Sequence, residues 1–254
     1  MKTISLVALA AFFLVGANST AFAQTRTNEP CLLDRCGDRE PPGAARTAPA
    51  ERDRAPYRAP SSVAPGNFDF YVLALSWSAS FCALEGAQKG REQCAPGAAN
   101  GFVVHGLWPQ NERGFPSNCE AGARNPPRAA MDIARAVFPE EGLARHQWRK
   151  HGTCSGRSPS EYFAETGRAR DKIVIPEEFK APGKAQSFAP MDVQRAFLAA
   201  NRGLRPGMMA VTCQRGLLQE VRVCLSKDLR EFQACPEVAR QACRAREISA
   251  PPAL

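Results

Sequence analysis

The sequence lacks the features that would indicate a membrane-spanning, zinc-binding or wholly unfolded protein. Its one long apolar run covers residues 4–15, which is too short to cross a bilayer that needs roughly 20 residues. The ten cysteines form no Cys-x-x-Cys pair, so paired zinc-ligand spacing has no local support. An apolar content of 44% with 23% charged residues is typical of a packed domain, which excludes disorder of the whole chain.

The N-terminal apolar run has the surroundings of a secretory signal peptide. Lys2 precedes it and small residues ending in Ala21-Phe22-Ala23 follow it, which predicts that residues 1–23 are removed. The protein is then expected to be secreted or periplasmic, with no membrane contact after cleavage. Because these compartments are oxidising, the even number of cysteines indicates five disulfides. Cys31 and Cys36 are separated by only four residues and are expected to pair with each other.

Composition divides the remaining chain near residue 66. Residues 24–65 show no hydrophobic periodicity and contain seven prolines, which is typical of a mobile linker, here rich in Pro, Arg and Ala. Residues 66–254 have the length of a single domain. The formal net charge of the whole chain is +8, which favours polyanionic partners without specifying one.

The apolar pattern of the domain predicts both strands and helices. Strands are expected at 68–77, 101–105, 208–213 and 217–224, and the second is expected to be ended by Gly106 and Pro109. Helices are expected at 127–137, 141–151, around 160–169 and at 191–200. These unequal blocks indicate an α+β fold, with a central antiparallel sheet flanked by helices and stapled by disulfides, rather than a parallel βαβ fold.

All three histidines of the chain lie in two short segments. At 100° per residue, a helix places four polar side chains of the second segment within one 140° arc: His146, Gln147, Lys150 and His151. In such a cluster one imidazole can accept a proton, another can donate one, and an ammonium can offset charge on a phosphoryl group. The cluster therefore indicates acid–base cleavage of a phosphate ester. His146 and His151 are five residues apart, not the four of a helical zinc pair, so no metal is expected.

These two segments resemble the active-site segments of T2-type ribonucleases. They are His105-Gly106-Leu107-Trp108-Pro109 and His146-x-Trp148-x-Lys150-His151-Gly152-Thr153-Cys154. Five contiguous residues and seven fixed positions agree, in the family's order. Further similarity extends from Phe68 to about Cys243, which covers the predicted domain and leaves residues 24–65 outside it.

The resemblance implies an endoribonuclease that needs no metal and no cofactor. The 2′-hydroxyl of single-stranded RNA would attack its own phosphate, giving a 2′,3′-cyclic phosphate and then a 3′-phosphate end. DNA lacks this nucleophile and would not be cleaved. His151 would be the general base, His105 the general acid and His146 a phosphate-binding group, while Lys150 and residue 147 would stabilise the phosphorane. We expect such an enzyme to act as a monomer.

The chain departs from the family pattern at two places. Gln147 stands where the family has Glu, and Gln keeps the size and a hydrogen-bond donor but carries no charge. If the carboxylate acts electrostatically, its loss costs about 10²-fold in rate; if the position donates a hydrogen bond, the cost is small. The segment 143–145, Leu-Ala-Arg, replaces the family's aromatic residues. Trp108, Gln110 and Phe115 remain as candidates for contacts to a base.

The resemblance also implies four disulfides: Cys82–Cys94, Cys119–Cys154, Cys213–Cys243 and Cys224–Cys235. Two other interpretations of the sequence remain. Because Gln147 replaces Glu, the chain could be a weakened or inactive relative that binds RNA or a protein partner. It could also be a structural disulfide module whose histidines are incidental.

Overall fold

The computed structural model describes residues 64–89, 91–98, 101–120, 124–180 and 183–252. The predicted signal peptide, nearly all of the predicted linker, and Cys31 and Cys36 lie outside these residues. No helix in the described ranges is long and apolar enough to span a membrane.

Within the described residues, six strands form one sheet. They are β1 (Phe70–Trp77), β2 (Phe102–Gln110), β3 (Gln186–Phe188), β4 (Met209–Gln214), β5 (Leu217–Ser226) and β6 (Ile248–Ala250). The main order is β2-β1-β5-β6-β3, and β4 pairs with β5. All pairs are antiparallel except the contact of β5 with β6 at Leu217 and Ser249. The predicted α+β fold with an antiparallel sheet is therefore confirmed.

The helices of the described residues pack around this sheet. They are α1 (Ser78–Phe81), α2 (Arg128–Arg135), α3 (Glu141–Lys150), α4 (Pro159–Asp171), α5 (Pro190–Ala200) and α6 (Pro236–Ala239). A π-helical turn covers Cys82–Gly86, and 3₁₀ turns cover Glu92–Cys94, Gly152–Cys154 and Glu177–Phe179. The four predicted helices correspond to α2, α3, α4 and α5. The shorter elements were not predicted, because three to five residues are too few to show a period.

Strand β1 is buried on both faces, as its continuous apolar run predicts. Tyr71, Leu73 and Trp77 join the main core, which also contains buried residues of α2, α4 and α5. The other face carries Phe70 and Val72, which pack in a smaller cluster with residues of β4, β5 and α6. The central strand therefore holds both faces of the sheet in place.

The predicted end of the second strand was wrong. β2 continues through Gly106 and Pro109 to Gln110, and Pro109 lies opposite Tyr71 in the β1–β2 register. Proline cannot donate a hydrogen bond to a strand partner, but an edge strand tolerates it, and within this sheet β2 pairs with β1 alone. The sheet therefore extends to the residues that follow His105, and Trp108 lies on a strand.

Four disulfides link the described cysteines: Cys82–Cys94, Cys119–Cys154, Cys213–Cys243 and Cys224–Cys235. These are the pairings that the resemblance implies. Cys119–Cys154 joins the segment after β2 to the 3₁₀ turn that follows α3. Next to it, the Asn118 N–H donates a hydrogen bond to the Lys150 carbonyl. This disulfide therefore ties the end of α3 to the loop after β2.

We predict that the double variant Cys119→Ser, Cys154→Ser loses about 4 kcal/mol of unfolding free energy. Opening a loop with a sequence separation of 35 residues restores conformational entropy to the unfolded chain. Urea unfolding followed by circular dichroism measures the loss, with Cys82→Ser, Cys94→Ser as a control that opens a separation of only 12 residues. An equal or smaller loss in the Cys119 variant would contradict the chain-entropy argument.

Candidate active site

A bulge in β2 directs His105 toward the proposed site. Ala74 lies opposite Gly106 and Leu75 opposite Val104, so His105 has no partner in the register. Val104 and Leu107 both enter the main core although they are three residues apart, which strict alternation does not allow. The extra residue places His105 on the same face as Trp108, away from that core. Bulges often redirect a side chain at an active site in this way.

Strand β2 and helix α3 approach closely at a glycine. The Trp108 Nε1–H donates a 2.8 Å hydrogen bond to Gln147 Oε1. A Cβ atom on Gly106 would overlap Gln147 Oε1 and Trp108 Nε1. Any larger residue at position 106 would therefore have to displace Gln147 or Trp108. The same contact gives Gln147, which is 1% exposed, a role that a glutamate could also fill, because both side chains offer an acceptor oxygen.

Helix α3 carries the second segment and ends at His151. Its buried positions Ala144 and Trp148 pack in the main core, while His146 is exposed and Lys150 is half-buried. The His151 N–H donates to the Gln147 carbonyl, so His151 caps the helix. The four polar residues predicted to share one arc are thus brought together beside His105.

The predicted site residues surround one cavity of about 300 Å³. Its lining includes all eight residues singled out from the sequence for catalysis or base contacts: His105, Trp108, Gln110, Phe115, His146, Gln147, Lys150 and His151. The Trp108 ring stacks on His151 with centroids 5.4 Å apart and meets the edge of His105 at 5.3 Å. The Trp108 ring therefore contacts both imidazoles.

Phe115 and Gln110 form the outer part of this cavity. Phe115 is 57% exposed, and its ring centroid is 6.5 Å from that of His151. The Gln110 side-chain amide donates to the Gly114 carbonyl at 2.8 Å. Gln110 therefore also fixes the loop that presents Phe115, and an exposed aromatic ring at the mouth of a cavity offers a stacking surface for a base.

The environment of His151 favours its neutral form. Burial, followed by the positive charges of Lys150, His105 and His146, lowers the pKa of His151 to about 3. Its Nδ1 is buried and has no hydrogen-bond partner among the described residues. Burial and the charges of Lys150, Arg149, His105 and Arg91 lower the pKa of His146 in the same direction. A neutral buried imidazole can accept a proton.

The structure adds two charged residues that sequence reasoning missed. Glu220 of β5 accepts a hydrogen bond from His105 Nδ1 and is 3% exposed. Arg222 pairs with Glu220 Oε2 through Nε and Nη2, both at 2.8 Å, and its Cζ lies 5.2 Å from the Trp108 ring centroid. The sequence did show a charged residue, Glu220, inside an apolar strand. Its proximity to His105 could not be predicted, because that proximity depends on the order of the strands.

A second cavity, of about 530 Å³, adjoins the first. His105 and His146 line both cavities. The second is bordered by Ser76, Arg91, Gln93, Glu140, Leu143 and Glu220, among others. Leu143, noted as a departure from the family's aromatic residues, therefore forms a wall of this second cavity. The two histidines stand between two concave surfaces.

Comparison with solved structures defines the class of fold. An RNase-related protein from Calystegia sepium superposes with a TM-score of 0.59 at 24% identity, over 74% of this chain and 98% of the other. RNase NT, solved in complex with 5′-AMP, gives 0.58 at 24% identity, over 73% of this chain and 99% of the other. The fold is thus one found in ribonucleases.

Sequence comparison identifies the family. A ribonuclease from Aeromonas hydrophila is 36% identical over 175 residues, which are 68% of this chain and 78% of the relative. The Ribonuclease T2 family model matches residues 68–235. The chain therefore belongs to the Ribonuclease T2 family, as its two histidine segments predict. The matched range contains both segments and the β5 residues Glu220 and Arg222.

We predict that Gly106→Ala destabilises the protein by about 1–3 kcal/mol and reduces RNA cleavage. The added methyl group must push Trp108 and Gln147 apart, and overpacking typically costs this much. Gly142→Ala is the matched control, because its Cβ would meet only Arg91 Nη1, at 3.7 Å. Urea unfolding and a cleavage assay on both variants make the comparison. Equal behaviour of the two variants would contradict the close-approach argument.

Proposed function

We propose that this T2-type endoribonuclease cleaves single-stranded RNA through its own 2′-hydroxyl, with neither a metal nor a cofactor. The first step would form a 2′,3′-cyclic phosphate and the second would hydrolyse it to a 3′-phosphate end. The observation that carries the proposal is the placement of two histidines, both in contact with the Trp108 ring, in opposite electrostatic environments. His151 is held neutral by burial and cations, whereas His105 faces the Glu220 carboxylate.

His151 is the proposed general base. In its neutral form it takes the proton from the 2′-hydroxyl, so that the 2′-oxygen can attack the phosphorus. Stacking on Trp108 and the cap position at the end of α3 fix its ring. DNA has no 2′-hydroxyl, so this step cannot occur on DNA.

His105 is the proposed general acid. Its protonated ring donates to the 5′-oxygen as the bond between phosphorus and that oxygen breaks, which neutralises the leaving group. The shared border of the two cavities at His105 and His146 is where the scissile phosphate would sit. Each cavity could then accept one of the flanking nucleosides, with Trp108 and Phe115 available for stacking in the first.

Lys150 and His146 would stabilise charge on the phosphorane. Both line the first cavity, and positive or hydrogen-bonding groups that are already in place there lower the barrier without reorganisation. The Gln147 Oε1 atom accepts from Trp108, which leaves the amide NH₂ as the group that can donate to a phosphoryl oxygen. Because Gln147 can contact both Trp108 and a phosphoryl group, this arrangement favours an active enzyme over an inactive relative that only binds RNA.

We also infer that the protein is exported and acts as a monomer outside the reducing cytosol. Four disulfides in the described residues and the N-terminal signal pattern support this location, because such bonds persist in oxidising compartments. Fractionation of the producing cells distinguishes a periplasmic location from release into the medium.

We predict that the oxidised protein cuts a short RNA in EDTA, leaves its DNA counterpart intact, and produces 2′,3′-cyclic phosphate ends detectable by mass spectrometry. His151→Ala should lower the rate by at least about 10²-fold, because general base catalysis contributes that much. Gln147→Glu should change the rate less than Gln147→Ala, since it keeps the acceptor for Trp108.

Two results of this assay would overturn the proposal. Cleavage that survives in both His105→Ala and His151→Ala would rule out the two-histidine mechanism. If the wild type binds RNA without cutting it, and the Gln147→Glu variant does cut it, this chain is an inactive relative of the enzyme.

We predict that kcat/KM for RNA stays high below pH 5. The base must be neutral to accept a proton. Burial and nearby cations lower the pKa of His151 to about 3, so His151 is neutral at every pH above about 3. The acidic limb of kcat/KM should therefore lie well below the value of about 6.5 for an unperturbed histidine. Stopped assays from pH 3 to 9, with circular dichroism to confirm folding at each pH, provide the test. A midpoint near 6.5 would contradict the assignment of His151 as base.

A further inference from the structure

We propose that Glu220 is the positioning residue of the general acid His105: it fixes the ring through Nδ1, so that Nε2 is the atom that protonates the leaving 5′-oxygen. This inference rests on the proposed function, because it assigns a partner to the acid of that reaction. Glu220 does not contact the reacting atoms itself and acts through His105.

The sheet brings the two residues together across an intervening strand. β2 and β5 flank β1, and Glu220 lies opposite Ser76 of β1. The β1 residues on this face become small toward that end, with Ala74 and Ser76 after Phe70 and Val72. Because these side chains are short, the Glu220 carboxylate can reach the bulged His105.

Every hydrogen bond of the carboxylate restricts its position. Oε1 accepts from His105 Nδ1 and from the Ser76 hydroxyl at 3.2 Å. Oε2 accepts from Arg222 Nε and Nη2, and Arg222 in turn donates from Nη1 to Gln241 Oε1 at 2.6 Å. A carboxylate held from both sides in this way can hold an imidazole in one orientation.

Glu220 is ionised under all conditions in which the protein would work. Burial by itself raises the pKa of Glu220, but the hydrogen bond from His105 and the charges of His105 and Arg222 outweigh it, so the pKa falls to about 2. An ionised carboxylate only accepts hydrogen bonds. Nδ1 of His105 must therefore carry a hydrogen in both protonation states, and Nε2 is left to exchange the proton.

The proposed cycle conserves this arrangement. As the bond from phosphorus to the 5′-oxygen breaks, the Nε2 proton moves to that oxygen and His105 becomes neutral while Nδ1–H stays on Glu220. In the hydrolysis of the cyclic phosphate, Nε2 takes a proton from the water whose oxygen bonds to phosphorus, and the protonated His151 returns its proton to the 2′-oxygen as the bond between that oxygen and phosphorus breaks.

Most of the other charged or titratable groups around His105 are basic. Those that line a cavity with it, or lie at the end of α3, are Arg222 of β5; His146, Arg149, Lys150 and His151 of the α3 segment; and Glu85, Arg91 and Glu140 of the second cavity. Among the carboxylates of this set and Glu220, only Glu220 is hydrogen-bonded to His105 in the described residues. Removing its charge should therefore favour loss of the ring proton.

The experiment compares Glu220→Gln, Glu220→Ala and the wild type in kcat/KM and kcat across the pH range. Gln keeps an acceptor for Nδ1 but loses the charge, so the basic limb of the pH profile should move to lower pH, while kcat at acidic pH should change little. Ala removes both, so kcat should fall by about tenfold at every pH, part of the 10²–10⁴-fold that a positioned acid contributes.

Glu165→Gln is the matched control. Glu165 is also a buried carboxylate, paired with Arg157 at 3.0 Å and bonded by the Tyr71 hydroxyl at 3.2 Å, but Tyr71 lies on the other face of β1. Its replacement should lower stability without moving either limb of the pH profile. A shift in Glu165→Gln equal to that in Glu220→Gln would assign the effect to general destabilisation and overturn the proposal.

A second substrate separates positioning of the acid from structural damage. A nucleoside 3′-(4-nitrophenyl phosphate) releases a stable phenolate that needs no proton, so the deficits of Glu220→Ala and His105→Ala should nearly disappear on it. A Glu220→Ala deficit of equal size on both substrates would refute the role. If wild type cuts no RNA, or if His105→Ala is fully active on RNA, the proposed function fails. If wild type cuts RNA and His105→Ala does not, but the Glu220→Gln pH profile matches wild type, this inference alone fails.

Discussion

The site depends on the close contact between β2 and α3. The hydrogen bond from Trp108 to Gln147 joins the strand that carries His105 to the helix that carries His146, Lys150 and His151. It forms because Gly106 leaves no side chain between them. The Cys119–Cys154 disulfide and the backbone bond from Asn118 to Lys150 hold the same two segments from the other end. These contacts between the two segments therefore fix the distance between the proposed acid and the proposed base.

Two histidines with the same chemistry receive different roles because their surroundings differ. His151 is buried beside cations and against the Trp108 ring, which stabilises the neutral ring. His105 instead meets a carboxylate that is itself paired with Arg222. Placing titratable groups in opposite environments is how one site supplies an acid and a base at the same pH. The proposed acid lies on the sheet, and the proposed base lies at a helix end.

Most of the candidate site could be predicted from sequence because its residues lie in two short segments, each of which can be recognised locally. The arc of His146, Gln147, Lys150 and His151 follows from helical geometry alone, and His105 and Trp108 lie three residues apart. The path of β2 was predicted wrongly, because a glycine and a proline usually end a strand and only the position of β2 at an edge of the sheet makes them acceptable. The bulge that turns His105 out of the core also depends on pairing with β1.

The sequence by itself determined the class of fold, the family, and which histidines are candidates for the active site. These depend on composition, periodicity and two short motifs. Tertiary structure decided which groups surround each histidine. Glu220 and Arg222 lie more than 100 residues from His105 and become its neighbours only through the strand order β2-β1-β5. Side-chain environment depends on register and burial, which no local pattern encodes, and it is the environment that sets the direction in which each proton moves.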